Sequence, residues 1–226
     1  MSQPTALKEK LDHLQHHFID SDQQFDAAKM GMWVFLVTEI LFFGGLFVAY
    51  IVYRSWYPEL YLLASTELDT FWGAVNTFVL IGSSLTVAMA IRSAQLDQIK
   101  GLIINLYITI GLACVFMVIK YFEYAHKFEK GILPGSYYSY EGIAHEKANI
   151  FFSIYYMMTG LHGVHVLIGI GLMIWLVVKA KRKVLHSGYY TPVEITGLYW
   201  HLVDVIWIFL FPLLYLSTFT FMIPTT

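Results

Sequence analysis

Five long apolar runs, separated by shorter polar connections, set the pattern of this 226-residue chain. A helix that crosses a bilayer needs about 20 apolar residues. Segments 30–53, 71–91, 101–119, 150–178 and 198–223 qualify. At hydrocarbon depth only helices satisfy all their own backbone groups at such lengths. The pattern therefore predicts an all-α fold, a five-helix transmembrane bundle over residues 30–226, preceded by a segment over 1–29. The fourth run would be about 43 Å long at about 1.5 Å per residue, so it must tilt or project beyond the bilayer. Pro212 should kink the fifth helix, because it lacks a backbone donor.

The connections carry turn punctuation: Pro58 in 54–70, a short polar turn at 92–100, Pro134-Gly135 in 120–149, and Pro192 in 179–197. Trp33, Trp56, Trp72, Tyr121, Tyr199 and Trp200 stand near span ends, as an interfacial aromatic belt would. One side collects Lys8, Lys10, Lys29, Arg92, Lys100, Lys179, Lys181, Arg182 and Lys183, and the other Arg54, Lys120, Lys127, Lys130 and Lys147. The side richer in basic residues is expected to be cytoplasmic, which puts the N-terminus inside and the C-terminus outside.

Composition supports a membrane protein. The chain is 58% hydrophobic and 13% charged, with mean hydropathy +0.60, where a soluble domain carries about 25% charge. A net charge of −2 and the lack of a basic tract argue against nucleic acid as a partner. The single cysteine, Cys114, excludes an intrachain disulfide and any two-cysteine copper or haem-attachment motif, and is expected to be a small buried apolar residue. The N-terminus has no apolar run before Met30, so it is not a secretory signal. Leu7, Leu11, Leu14 and Phe18 share a helical stripe. That stripe fits an amphipathic helix on the membrane surface or on a partner, and a polar tail fits equally well.

The few ionisable groups inside the spans are the candidate functional residues, since each costs a few kcal/mol, on the order of 3, at membrane depth. Glu39 lies among Phe and Leu. It is expected to be neutral, serving either as a proton-exchanging or lipid-contacting carboxyl or as a packing hydrogen bond to a neighbouring helix. Asn76, Thr77, Ser83, Ser84 and Thr86 dot the second span, and interhelical hydrogen bonding is expected of them. Glu123 ends the third span and could be a solvated cap or a buried polar group. His162 and His165 are three apart on the fourth span, as are His201 and Asp204 on the fifth. On paper these four could form a metal set. Gly160, Gly163, Gly169 and Gly171 instead indicate a closely packed helix face, which favours buried hydrogen bonding, with His201 or a neighbouring helix as partner. Asp204 is expected to need a partner.

At these residues the chain resembles subunit III of the haem–copper respiratory oxidases, above all cytochrome c oxidase. The resemblance runs from about Lys29 to Phe219 and rests on the Glu39 segment, Asn76-Thr77, 120–124, the His162 to Gly169 string, and Tyr199 to Trp207. Glu194, Tyr199, Trp200, His201, Asp204 and Trp207 fit the family's last-helix pattern position by position. The resemblance implies a non-catalytic subunit of a prokaryotic cell membrane complex that binds no haem and no copper, those centres lying in partner subunits. It implies packing on subunit I, phospholipid bound in a cleft, help to oxygen access, and protection of the proton-uptake side during turnover. Glu39 matches the family's buried carboxyl, and His162, His165, Glu194, His201, Asp204 and Trp207 match polar packing contacts. Longer members have seven helices, and the five here match the last five. The cleft is then either open or completed by another subunit, for which a C-terminally extended subunit I is expected, with subunit II as a further partner. An equivalent subunit of a ubiquinol oxidase or nitric oxide reductase is a second reading. A stand-alone transporter, with Glu39, Glu123, His162 and His201 as a relay, is a third.

Overall fold

A computed structural model describes residues 14–140, 142–143 and 147–216. Six α-helices follow in chain order: α1 (Ser21–Trp56), α2 (Pro58–Thr66), α3 (Thr70–Gln95), α4 (Ile99–Glu129), α5 (Ala148–Lys181) and α6 (Thr191–Tyr215), with a 3₁₀ turn at Gly135–Tyr137. All but α2 are long and apolar enough to span a membrane. Of the expected stripe, Leu7 and Leu11 lie outside the described residues, as does the chain beyond Leu216, while Leu14 and Phe18 stand in a non-helical turn in which the Phe18 N–H donates to the Gln15 carbonyl at 3.0 Å.

Most helices outrun the apolar segments, and at the starts of α1 and α3 a polar side chain caps the end. Asp20 caps α1, its Oδ1 accepting the Gln23 N–H at 2.7 Å, so the helix starts well before Met30. Asp69 caps α3 through the N–H groups of Phe71 and Trp72. Proline at the first position opens α2, where its missing donor is no loss. This short helix falls in what hydropathy reads as a loop, and it packs on α1, α5 and α6.

Helices α3, α4, α5 and α6 form a closed ring in which each packs against the next, and α1 lies outside it against α5 and α6. Helix α6 is central: 56% of its most apolar stretch is buried, against 17% for α1. Its side chains reach every other span. Trp200 and Trp207 are fully buried, and Phe116 of α4 meets the Trp207 ring edge-on at 4.9 Å. Close approach of α5 to α6 requires Gly169, where a Cβ would stand 2.5 Å from the buried Trp200 ring. Gly160, Gly163 and Gly171 have open space over them. The packed face expected of these four glycines is therefore Gly169 alone. Cys114 is exposed on the outside of α4 rather than buried, because α4 turns its Ala113 and Phe116 face inward.

The carbonyls at the end of α6, which lack helical partners, are met by other elements. Tyr50 O–H donates to the Leu213 carbonyl at 2.8 Å and Thr70 O–H to the Tyr215 carbonyl at 3.4 Å. At the opposite end of the bundle, Asp97, in the left-handed region at φ 56°, accepts the Ser187 N–H at 2.5 Å and ties the α3–α4 turn to the α5–α6 connection. The Ser187 hydrogen bonds hold the Asp97 carboxyl below its ordinary range.

Candidate functional site: polar groups between the helices

Glu39 of α1 and His165 of α5 form the first cluster. His165 Nε2 lies 3.1 Å from Glu39 Oε2, and both side chains are largely buried. His165 Nδ1 is 2.8 Å from the Leu161 carbonyl, which can only accept, so Nδ1 carries a hydrogen. Two arrangements then suit the pair: a carboxylic acid donating to Nε2, or an imidazolium donating to a carboxylate. Both have zero net charge and differ by one proton passed across 3.1 Å. Tyr199 of α6 donates to the His165 carbonyl at 3.0 Å, and Phe43 meets the imidazole edge-on. Glu39 thus makes a helix-to-helix contact, one of the two roles expected of it, with histidine as partner.

The second cluster centres on Glu123 and is the one that sequence reading only half found. Its carboxylate is 6% exposed and accepts from Lys120 (2.9 Å), Lys127 (2.9 Å), Tyr155 (2.7 Å) and Tyr215 (2.7 Å). It is no solvated cap. Lys120 also donates to the Tyr215 hydroxyl and stands 4.7 Å over the Trp207 ring. The group joins α4, α5 and α6. Lys120, Glu123 and Lys127 recur at i, i+3 and i+7, so one helical face presents all three, and that spacing was the available signal. Nothing in the sequence points to Tyr155 and Tyr215.

Hydroxyls and indoles knit α3 to its neighbours. Trp207 N–H donates to Thr77 at 3.1 Å and Trp200 N–H to Ser83 at 3.0 Å. Ser84 is 2.6 Å from His201 Nδ1, and Thr86 bonds Thr109 of α4 at 2.7 Å. Four of the five polar positions on the second span thus make the interhelical bonds expected. Asn76 does not: it is fully buried and its amide bonds to no described residue. At the opposite edge Glu194 of α6 pairs with Lys29 of α1 at 2.7 Å.

His162, His165, His201 and Asp204 do not converge. His165 turns to α1 and His201 to α3. His162 is fully buried between the rings of Phe116 and Trp207, with no hydrogen bond from either ring nitrogen. Neither histidine pairs with His201, because the α3–α6 contact holds that ring on Ser84. Asp204 is also buried, and its carboxyl oxygens make no hydrogen bond among the described residues. Ser84 is close enough to act on it, its hydroxyl lying 2.6 Å from His201 Nδ1. No hydrogen bond to the partner expected for Asp204 is found among the described residues. Among the described residues no group of three or more His, Cys, Asp or Glu side chains is arranged to hold a metal.

Residues 15–219 match the family described as cytochrome c oxidase subunit III. The chain belongs to that family. It is 34% identical to cytochrome c oxidase subunit 3 of Thermostichus vulcanus, with 96% of each chain covered. It is 33% identical to the subunit of the same name from Synechocystis sp., covering 84% of this chain and 76% of that one. It is 27% identical to quinol oxidase subunit 3 of Bacillus spizizenii over 91% of this chain and 97% of that one. The chain is thus a multi-pass membrane protein of prokaryotic type and a subunit III of haem–copper oxidase complexes, associating with other oxidase subunits. The family does not itself carry the redox centres of those complexes.

Proposed function

We propose that this chain is the non-catalytic third subunit of a cytochrome c oxidase, seated on subunit I near subunit II, with its N-terminus cytoplasmic and its C-terminus outside. Its work is mechanical and protective: it holds phospholipid against the complex, supports oxygen access, and steadies the proton-uptake side through turnover. One observation carries this reading. Two carboxyls at depth are spent on other side chains, Glu39 on His165 and Glu123 on four donors, which is the chemistry of a scaffold. The outer face of α1 exposes Trp33, Val37 and Leu41, an apolar surface suited to helices of a C-terminally extended subunit I. The lysine and arginine bias supports the orientation.

A quinol oxidase is the second reading, favoured by the Bacillus relative named as such. Purification of the native complex through this subunit separates the two. Copurification of haem-bearing subunit I with a dinuclear-copper subunit II supports cytochrome c as donor, and a complex without that copper supports quinol. Copurification with no haem protein would overturn both.

A further inference from the structure

The interior of the ring formed by α3, α4, α5 and α6 carries polar atoms that the described residues do not satisfy. Asn76 of α3 and His162 of α5 are fully buried, and Asp204 of α6 is 2% exposed. Asn76 Oδ1 and Nδ2, both ring nitrogens of His162 and both carboxyl oxygens of Asp204 make no hydrogen bond among the described residues. Buried polar side chains are nearly always paired, with protein or with ordered water, so each of these needs a partner.

The three side chains are grouped around one level of the bundle, marked by Trp207. The His162 ring is 5.2 Å from the Trp207 ring. Asn76 adjoins Thr77, whose hydroxyl takes the Trp207 N–H at 3.1 Å. Asp204 precedes Trp207 by three residues, about 4.5 Å along α6. Each belongs to the buried face of its helix, Asn76 with Leu80 and Ser83, His162 with Val166, Asp204 with Trp200 and Trp207. Helix α4 crosses in the same direction as α6. Three residues back from the Phe116–Trp207 contact, at the level of Asp204, its buried face presents the small side chain of Ala113.

Chemistry limits what can serve all three. A carboxamide both donates and accepts. A neutral imidazole donates from one nitrogen and accepts at the other. A carboxyl accepts, and as the neutral acid it also donates. An anion brings no hydrogen and leaves the acceptors unmet. A metal cation leaves the N–H groups unmet, and it would be repelled by Lys120, whose ammonium already stands 4.7 Å over the Trp207 ring. Water donates and accepts at once, and it is small enough for a sealed interior.

We infer that the ring interior holds bound water against Asn76, His162 and Asp204. Their six unpaired atoms, at about three hydrogen bonds per buried water, call for about two molecules. The Ser84 hydroxyl, close to Asp204 and 2.6 Å from His201 Nδ1, extends this polar seam toward the α3–α6 contact. The inference goes beyond the scaffold role proposed above and holds whichever donor feeds the oxidase.

The test uses the purified complex and X-ray radiolysis, in which a bound water yields hydroxyl radicals that oxidise the side chains beside it, read by peptide mass spectrometry. Trp207 and Phe116 are shut off from solvent and should nevertheless be oxidised. Met173, equally buried and about 16 Å along α5 from His162, is the dry control and should stay unmodified. A cryo-EM map of the complex that resolves water should show density within hydrogen-bond distance of all three side chains. Asp204→Leu should lose the density beside residue 204 and lower the oxidation of Trp207. Asp204→Asn, which still accepts and donates, should keep both. If Asp204→Leu does not assemble, the wild-type measurements decide alone. Trp207 oxidised no more than Met173 would overturn the assignment. So would a map in which the three side chains bond one another or a partner subunit, or a peak whose height follows the choice of cation in the buffer. Neither readout involves haem or the electron donor, so failure here is distinct from failure of the donor reading.

Discussion

Glu39 and His165, on two helices 126 residues apart in sequence, are held as a pair with one proton to divide between them. The Leu161 carbonyl fixes the imidazole tautomer, so the pair has two neutral protonation arrangements and no need of a bulk counter-ion.

Glu39→Gln should assemble almost as the wild type does, because an amide N–H can donate to His165 Nε2 as a carboxylic acid can. Glu39→Leu leaves that nitrogen unpaired and should cost about 1–3 kcal/mol. Thermal unfolding of the purified complex checks the order. If the two variants were equally destabilised, the hydrogen bond would not be the reason for the carboxyl.

Glu123→Leu strands two buried lysines and should be the most damaging single change in the bundle, about 3–5 kcal/mol. Membrane-inserted yield and the unfolding midpoint are the readouts. A milder loss than in Glu39→Leu would mean that water reaches Lys120 and Lys127.

Gly169→Ala pushes a methyl group against the Trp200 ring and should cost about 1–3 kcal/mol by overpacking. Gly163→Ala meets open space and should be neutral for the chain itself. If Gly163→Ala blocked copurification with the other subunits while the chain stayed folded, a partner helix would be seated on that side of α5.

Asp204→Leu removes a buried carboxyl that has no partner among the described residues, so the chain should lose less than about 1 kcal/mol. Subunit stoichiometry is the second measurement. A normal complex would remove any docking role for Asp204, and a depleted one would place its partner on another subunit.

The Asp97–Ser187 tie should be insensitive to pH over the working range. The folded carboxyl titrates below its ordinary 3.8, so its contribution is present above that value and is lost only as pH falls through the lower, folded value. Hydrogen exchange at the Ser187 amide, followed from neutral to acid pH, reads this directly. Faster exchange beginning near pH 6 would contradict it.

The spans and the all-α class were legible because hydropathy alone decides them. The helix ends were not, since Asp20 starts α1 where composition is already polar, and α4 runs on to Glu129 with no side-chain cap to mark either end. The polar positions were legible one by one, as costly residues in hydrocarbon. Their pairing was not, because it depends on how two helices are offset. The same spacing that offered His162 and His165 to one metal sends one ring into an aromatic slot and the other to Glu39. Only pairs within one helix, such as Lys120 with Glu123, could be read from spacing.

The centrality of α6 has a consequence for biogenesis. Every other span rests on this helix, yet it is the last of the five to leave the ribosome. Until it arrives, Ser83, Ser84 and Thr77 have no indoles or imidazole to bind, Glu123 lacks Tyr215, and Lys29 lacks Glu194. The first four spans must therefore enter the bilayer incompletely paired, and these polar contacts close only when the final helix inserts.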